Sequence, residues 1–340
     1  MNHFRLHRAD SRELGFLSPE SVELVVTSPP YPMISMWDPQ FSRTDPRIGE
    51  LLADGRGSEA WEAMHRLLDP VWRECLRVLV PGGFLCVNIG DAVRTLDGDF
   101  RLYGNHGRIL SFCLSLGFVP LPVILWRKPA NSPTKFLGSG MIPPGAYVTL
   151  EHEYILILRK GGRRTFSSPG ENQRRRESAY FWEERNSWFS DVWTFTGTGQ
   201  RLRPGAGRER SAAYPPELAR RLICMYSLKG DRVLDPFAGT GTTLYSALAL
   251  GREGIGAELE PELVRTLREA PVPAPEDLNR VNRERLEAHR LWAAGREAEG
   301  KSLKYTSRHY GFPVTTRQEE DILLSEVSRV ERTDTGFLAV

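Results

Sequence analysis

A chain of 340 residues, 40% apolar and 26% charged, is long enough for one large domain with an insertion and a tail, and its composition is that of an ordinary globular protein. A formal net charge of +2 excludes adhesion to nucleic acid through bulk charge, yet Arg159 to Arg210 carries twelve Lys/Arg against six Asp/Glu, a local excess suited to phosphate contact. No apolar run approaches the ~18 residues of a bilayer span. The N-terminus lacks the apolar core of a signal peptide, and Cys75, Cys86, Cys113 and Cys224 form no C-x-x-C pair, so a cytoplasmic protein with reduced thiols, no metal and no membrane contact is expected.

Phe4 to His7 alternates as a short strand and ends at Asp10. Val22 to Val26 reads as a buried strand running into Thr27-Ser28-Pro29-Pro30-Tyr31. Met33 to Gly57, rich in Pro, Gly, Asp and Arg, reads as a long loop that either closes over a substrate or is simply flexible. Apolar residues at three- and four-residue spacing predict a helix over Ser58 to Leu79, with Ser58 as N-cap and Pro70 as a kink. Pro81-Gly82-Gly83 is read as a turn into the buried strand Phe84 to Ile89. A helix over Arg108 to Leu116 stopped by Gly117, a strand over Val119 to Trp126, and an edge hairpin strand at Glu153 to Leu158 follow.

Residues 160–213 break this rhythm with arginine clusters among aromatic residues. Beyond them come a helix over Glu217 to Tyr226, a strand ending at Leu234, the turn Asp235-Pro236-Phe237-Ala238-Gly239-Thr240-Gly241-Thr242-Thr243, a helix through Leu250, a strand to Glu258 and a helix from Pro261. Pro271 to Pro275 reads as a linker and Glu276 to Glu299 as a charged helix. Strands alternating with helices predict an α/β fold with a mostly parallel, doubly wound sheet.

Ligands of such sheets bind beyond the carboxyl ends of the strands. Gly239 and Gly241 permit a tight turn there, and the turn lacks the Lys of a phosphate loop and the third Gly of a dinucleotide fingerprint. It suits a zwitterionic ligand such as S-adenosyl-L-methionine, with Asp235 near the amino-acid moiety. Glu258 ends the next strand, where an acid either accepts from both ribose hydroxyls or merely caps a helix. At the other motif, Ser28 Oγ and the Pro29 carbonyl can accept the two protons of an exocyclic amine, and consecutive prolines stiffen the loop. Tyr31 offers an aromatic face for a base swung out of a duplex.

In this order the two motifs resemble those of the amino-group DNA methyltransferases of the permuted class called beta. The likeness covers roughly residues 4–270, with Arg77 to Gly83 similar to the family's helix-to-strand crossover and Trp126-Arg127-Lys128-Pro129-Ala130-Asn131-Ser132-Pro133 similar to its W-x-K-x-x-x-x-P segment. It implies a circularly permuted methyltransferase fold in four parts: a catalytic half at 1–159, a target-recognition insertion at 160–213, a cofactor half at 214–270 and a helical extension at 271–340. Ser28, Pro29, Pro30 and Tyr31 would be catalytic. Asp10, Asp235, Phe237, Ala238, Gly239, Thr240, Gly241, Thr242 and Glu258 would surround S-adenosyl-L-methionine, with Asp10 either meeting the adenine amino group or serving as a turn residue.

Trp126 would hold the flipped base or be a core aromatic. Lys128, Arg174, Arg175, Arg176, Arg201, Arg203, Arg208 and Arg210 would meet double-stranded DNA or belong to a solvated loop. A Ser in the first motif position goes with N4-cytosine methylation in this family, which leaves N6-adenine methylation and a catalytically silent nucleic-acid-binding scaffold as alternatives. Carbon-5 methylation needs a nucleophilic thiol, and no Pro-Cys occurs. The family also allows a homodimer and a separately acting restriction endonuclease as partners.

Overall fold

The computed structural model describes residues 1–128, 137–197 and 214–340. Its strands are β1 (Asn2–Arg8), β2 (Val22–Thr27), β3 (Leu79–Ile89), β4 and β5 (Ala92–Leu96, Asp99–Tyr103), β6 (Phe118–Pro120), β7 (Ile124–Arg127), β8 and β9 (Leu137–Gly138, Ala146–Tyr147), β10 (His152–Lys160), β11 (Val192–Thr194), β12 (Arg232–Asp235), β13 (Glu253–Glu258), β14 and β15 (Tyr305–Thr306, Pro313–Val314), β16 (Val330–Thr333) and β17 (Gly336–Ala339). The helices are α1 (Asp38–Thr44), α2 (Pro46–Ala53), α3 (Gly57–Val78), α4 (Asn105–Ser115), α5 (Pro169–Glu177), α6 (Trp182–Trp188), α7 (Pro216–Tyr226), α8 (Thr242–Ala249), α9 (Pro261–Glu269) and α10 (Pro275–Ala298). Among the described residues, no helix is long and apolar enough to cross a membrane.

Eleven strands of the described residues form one sheet in the order β11-β7-β10-β3-β2-β12-β13-β1-β17-β16, with β6 also paired to β10. The centre, β3-β2-β12-β13-β1, is parallel throughout. Successive strand residues point to opposite faces. Accordingly Val25, Leu85, Val87 and Leu234 enter one core with α3 and α4, whereas Leu24, Val26, Cys86 and Val233 enter a second core with α7. Burial on both faces is why these strands read as continuous apolar runs rather than alternating ones. β1 lies parallel to β13 with Arg8 opposite Glu258, so Asp10 and Glu258 leave the sheet at the same end as Ser28 and Pro236.

Several expectations change. The supposed loop at 33–57 is a 3-10 turn, Ser35–Trp37, followed by α1 and α2. Its Asp and Pro residues are helix-start chemistry: Pro39 and Pro46 occupy the first turns, and the Asp45 side chain accepts from Arg47 N–H. Buried Trp37, Phe41 and Ile48 anchor the segment. Ser58 is no cap, since α3 starts at Gly57; its hydroxyl accepts from Arg101 at 2.7 Å. Pro70 sits within an uninterrupted helix.

Pro81 to Gly83 is not a turn but part of β3, at a register shift against β2. There Gly82 has φ +79°, and a Cβ would lie 2.4 Å from the Arg164 backbone nitrogen. The strand expected at 119–126 is divided into β6 and β7. β10 is interior, between β3 and β7, not an edge strand. The extension at 271–340 is not wholly helical: beyond α10, β17 pairs with β1 and β16 with β17. Arg285 joins Glu184 at 2.6 Å and His289 joins Glu183 at 2.9 Å, which binds α10 to α6.

Candidate active site

β2 delivers Ser28 to the carboxyl end of the parallel centre. Thr27 Oγ1 donates to Asp235 Oδ1 at 2.7 Å, which ties the end of β2 to the end of β12. Ser28 Oγ donates to Tyr31 Oη at 3.0 Å, and Tyr31 donates to Glu153 Oε2 at 2.9 Å. Asn88 Nδ2, from the end of β3, donates to Tyr31 Oη at 2.8 Å and to Glu153 Oε2 at 2.6 Å. Lys128 Nζ pairs with Glu153 Oε1 and lies 4.3 Å from the Trp126 ring centroid.

Burial, and then the Glu153 charge, push the Tyr31 phenol well above its usual pKa, so it stays a donor to Glu153. Its oxygen already accepts from Ser28 and Asn88. The Ser28 proton is therefore committed to Tyr31, and the lone pairs of Ser28 remain as acceptors in the cleft it lines.

One cleft is lined by Ser28 and Pro30 together with Asp10, Phe237, Gly239 and Glu258. Trp37 and Phe41 from the N-terminal helical segment, Leu68 and Val71 from α3, and Leu263 from α9 complete it. Glu258 Oε2 accepts from Gly239 N–H and Oε1 from Glu260 N–H, both at 2.8 Å. Asp10 accepts from Arg12 at 2.9–3.0 Å through its backbone and Nε, and these hydrogen bonds hold its carboxyl below the usual carboxylate range. Gly239 has φ +53° and Gly241 +78°. Only a residue without Cβ adopts such angles cheaply, and Gly241 leads straight into α8.

The other candidates fall elsewhere. Asp235 is 2% exposed and does not line the cleft. It accepts from Thr27, Phe237 N–H, Tyr214 and Thr243, and burial nevertheless pushes its pKa up to about 6. It fastens strand ends together rather than facing a ligand. Ala238 is buried and donates from its N–H to Ala257 at 2.9 Å. Thr240, Gly241 and Thr242 form the turn and the start of α8, outside the cleft lining.

Trp126 is 2% exposed, and its Nε1 donates to the Phe195 carbonyl at 3.0 Å; packing makes it a core aromatic with no face open to a base. Arg174, Arg175 and Arg176 lie on α5, away from the cleft. The 129–133 part of the W-x-K segment and Arg201, Arg203, Arg208 and Arg210 lie outside the described residues. Sequence reasoning missed Asn88 and Glu153, whose only local signal is a polar residue at the tip of an apolar strand.

The cleft fits S-adenosyl-L-methionine. A backbone-anchored carboxylate at a strand end suits ribose hydroxyls, Phe237, Phe41 and Leu263 suit a flat base, and Gly239 lets the ligand approach the chain closely. A family model described as DNA methylase, that of the N6/N4 amino-methyltransferases, matches residues 22–269. Type II methyltransferase M.MthZI of Methanothermobacter thermautotrophicus is 51% identical over 94% of this chain and 89% of its own length. Type II methyltransferase M.MjaI of Methanocaldococcus jannaschii is 48% identical over 76% of this chain and 88% of its own. The crystal structure of TTHA0409 from Thermus thermophilus, assigned as a DNA modification methylase and complexed with S-adenosyl-L-methionine, has 35% identity and a TM-score of 0.60, covering 78% of this chain and 92% of that one. The chain belongs to the DNA methylase family, and its methyl donor is S-adenosyl-L-methionine.

Proposed function

We propose that the protein methylates the N4 amino group of a cytosine flipped out of duplex DNA, at a short specific site, as a Type II modification enzyme of the permuted class. The observation that carries this reading is the commitment of the Ser28 proton to Tyr31. An exocyclic amine is a poor nucleophile because its lone pair is delocalised into the ring. Ser28 Oγ, with no proton left to offer, accepts one amine proton; the Pro29 carbonyl accepts the other. Two acceptors bias the nitrogen toward a tetrahedral shape with its lone pair available. S-adenosyl-L-methionine supplies an electrophilic methyl group on a sulfonium, and the side chains need only hold the amine in line with it.

Serine at the first position of the catalytic tetrapeptide favours N4-cytosine, by the resemblance already drawn. Carbon-5 chemistry is further disfavoured by the thiols. All four cysteines are buried, none lines the cleft, and burial raises the pKa values of Cys75, Cys86 and Cys113. The permuted order is supported by β1 lying parallel to β13, which brings the N-terminal Asp10 beside Glu258.

The test is incubation with labelled S-adenosyl-L-methionine and unmethylated DNA, followed by digestion to nucleosides. N4-methylcytosine supports the proposal, N6-methyladenine replaces it with the adenine reading, and absence of label with DNA binding retained supports a silent scaffold. Ser28→Ala should lower kcat on the order of a hundredfold or more while cofactor affinity holds.

A further inference from the structure

A second concavity of about 840 Å³ lies at the opposite end of the sheet from the cleft. Glu23, near the start of β2, and Phe84 and Gly82 of β3 line it, whereas Ser28, just past the end of β2, lines the cleft. A six-residue strand at about 3.3 Å per residue separates the two by roughly 20 Å.

Among the described residues, seven arginines face this groove and only two acids, Glu23 and Glu319. Both acids are engaged by the protein itself. Glu319 accepts from the backbones of Trp182 and Thr316, and Glu23 from the backbone of Arg232. Arg164 and Arg176 are neutralised by Asp231 and Asp321. Among the described residues, Arg159, Arg163, Arg175, Arg185 and Arg317 make no ion pair with a carboxylate. Three of them stack on rings instead or beside the groove: Arg175 on Phe166, Arg185 on Phe189 and Arg317 on Tyr305.

The frame is anchored beside the charge. Arg164 is clamped to Asp231, and its backbone is packed so tightly on Gly82 that no Cβ fits there. This pins the exposed neighbour Arg163 at the rim. Half-buried Phe84, Tyr180 and Tyr226 lie in the groove, and Trp182, 40% exposed, lies at its wall.

A duplex presents its phosphates but keeps its base faces stacked inside, so it can use the guanidinium groups of such a groove and not its rings. A concave groove that interleaves uncompensated guanidinium groups with accessible rings instead matches an unpaired strand, whose phosphates take the cations and whose bases stack on the aromatics. We propose that this groove is a second nucleic-acid site that holds a single-stranded segment, DNA or RNA, while the methylation cleft at the other end of the sheet is independent of it.

The test uses the full chain and fluorescein-labelled oligothymidylate and oligouridylate, read by anisotropy across a salt series. Binding should survive an excess of unlabelled duplex, and preference for one oligomer identifies the source of the strand. The double variant Arg163→Glu, Arg317→Glu should weaken binding at least about tenfold and flatten the salt dependence. Trp182→Ala, which changes no charge, should weaken it at least about fivefold. Methylation of duplex DNA should be unchanged in both variants, and unchanged melting temperatures show that they fold. No binding of either oligomer, equal competition by duplex, or unchanged affinity in both variants overturns the proposal. Failure of the methylation test leaves this result unaffected, since Arg163, Arg317 and Trp182 line the groove and not the cleft, and loss of binding in their variants assigns the site without methyl transfer.

Discussion

Replacing Tyr31 by Phe removes one oxygen and leaves the ring in place. That oxygen accepts from Ser28 at 3.0 Å and from Asn88 at 2.8 Å, and donates to Glu153 at 2.9 Å. Asn88 and Glu153 remain joined at 2.6 Å, and Glu153 keeps Lys128. No charge is stranded, so the loss of stability should be only about 1–2 kcal/mol. The effect on catalysis is of another kind. Ser28 loses the acceptor that holds its proton, and its hydroxyl turns; in part of its rotamers a donor then opposes the amine donor. A loss of about 1.4 kcal/mol in transition-state orientation corresponds to roughly a tenfold lower kcat. Single-turnover methyl transfer measures that loss, and calorimetric titration measures cofactor affinity, which should not change. Undiminished single-turnover rates, or a loss of cofactor affinity as large as the loss of rate, would refute the role given to the Ser28–Tyr31–Glu153 chain.

Glu258→Ala should weaken cofactor binding by about 1.5–3 kcal/mol, a hydrogen-bonded charged group being lost, and calorimetry with S-adenosyl-L-methionine or its demethylated product checks this. Asp235→Asn presents an amide donor to two of the four buried donors that now meet the carboxylate and should destabilise the fold by about 1–3 kcal/mol; a melting temperature equal to wild type would contradict its fastening role. Because burial raises the Asp235 pKa from 3.8 to about 6, the proton-linked part of its contribution to stability is fully present below 3.8 and is lost as pH rises through about 6; the variant should lack that component in denaturant titrations across this range. Burial opposes charge on His289, but the hydrogen bond and charge of Glu183 outweigh it and raise the pKa above 6.5. The stabilisation is therefore complete below pH 6.5 and lost as pH climbs through the raised value, so His289→Gln should differ from wild type most on the acid side. Gly241→Ala forces a Cβ onto φ +78° and within 3.2 Å of Leu267, which should cost about 1–2 kcal/mol.

Local chemistry made much of this protein legible from its residues. Apolar runs buried on both faces marked β2, β3 and β12, and turn residues at their ends marked Ser28 to Tyr31 and Asp235 to Gly241, because both signals lie within a few neighbouring positions. The same local reading mistook the Asp-Pro pairs of α1 and α2 for loop punctuation, since helix starts and loops draw on the same residues. Only the tertiary structure decided which strands are neighbours, and the finer chemistry depends on that. Tyr31 and Glu153 are 122 positions apart and meet because β10 runs beside β3. Thr27 and Asp235 are 208 apart and meet because β2 runs beside β12, which turns the acid inward and away from the ligand it was expected to face. The arginines of α5 would, from sequence alone, meet double-stranded DNA or belong to a solvated loop; the sheet places Arg175 and Arg176 at the end opposite the cleft. A strand's period of two says which residues share a face and nothing about which strand lies next to it.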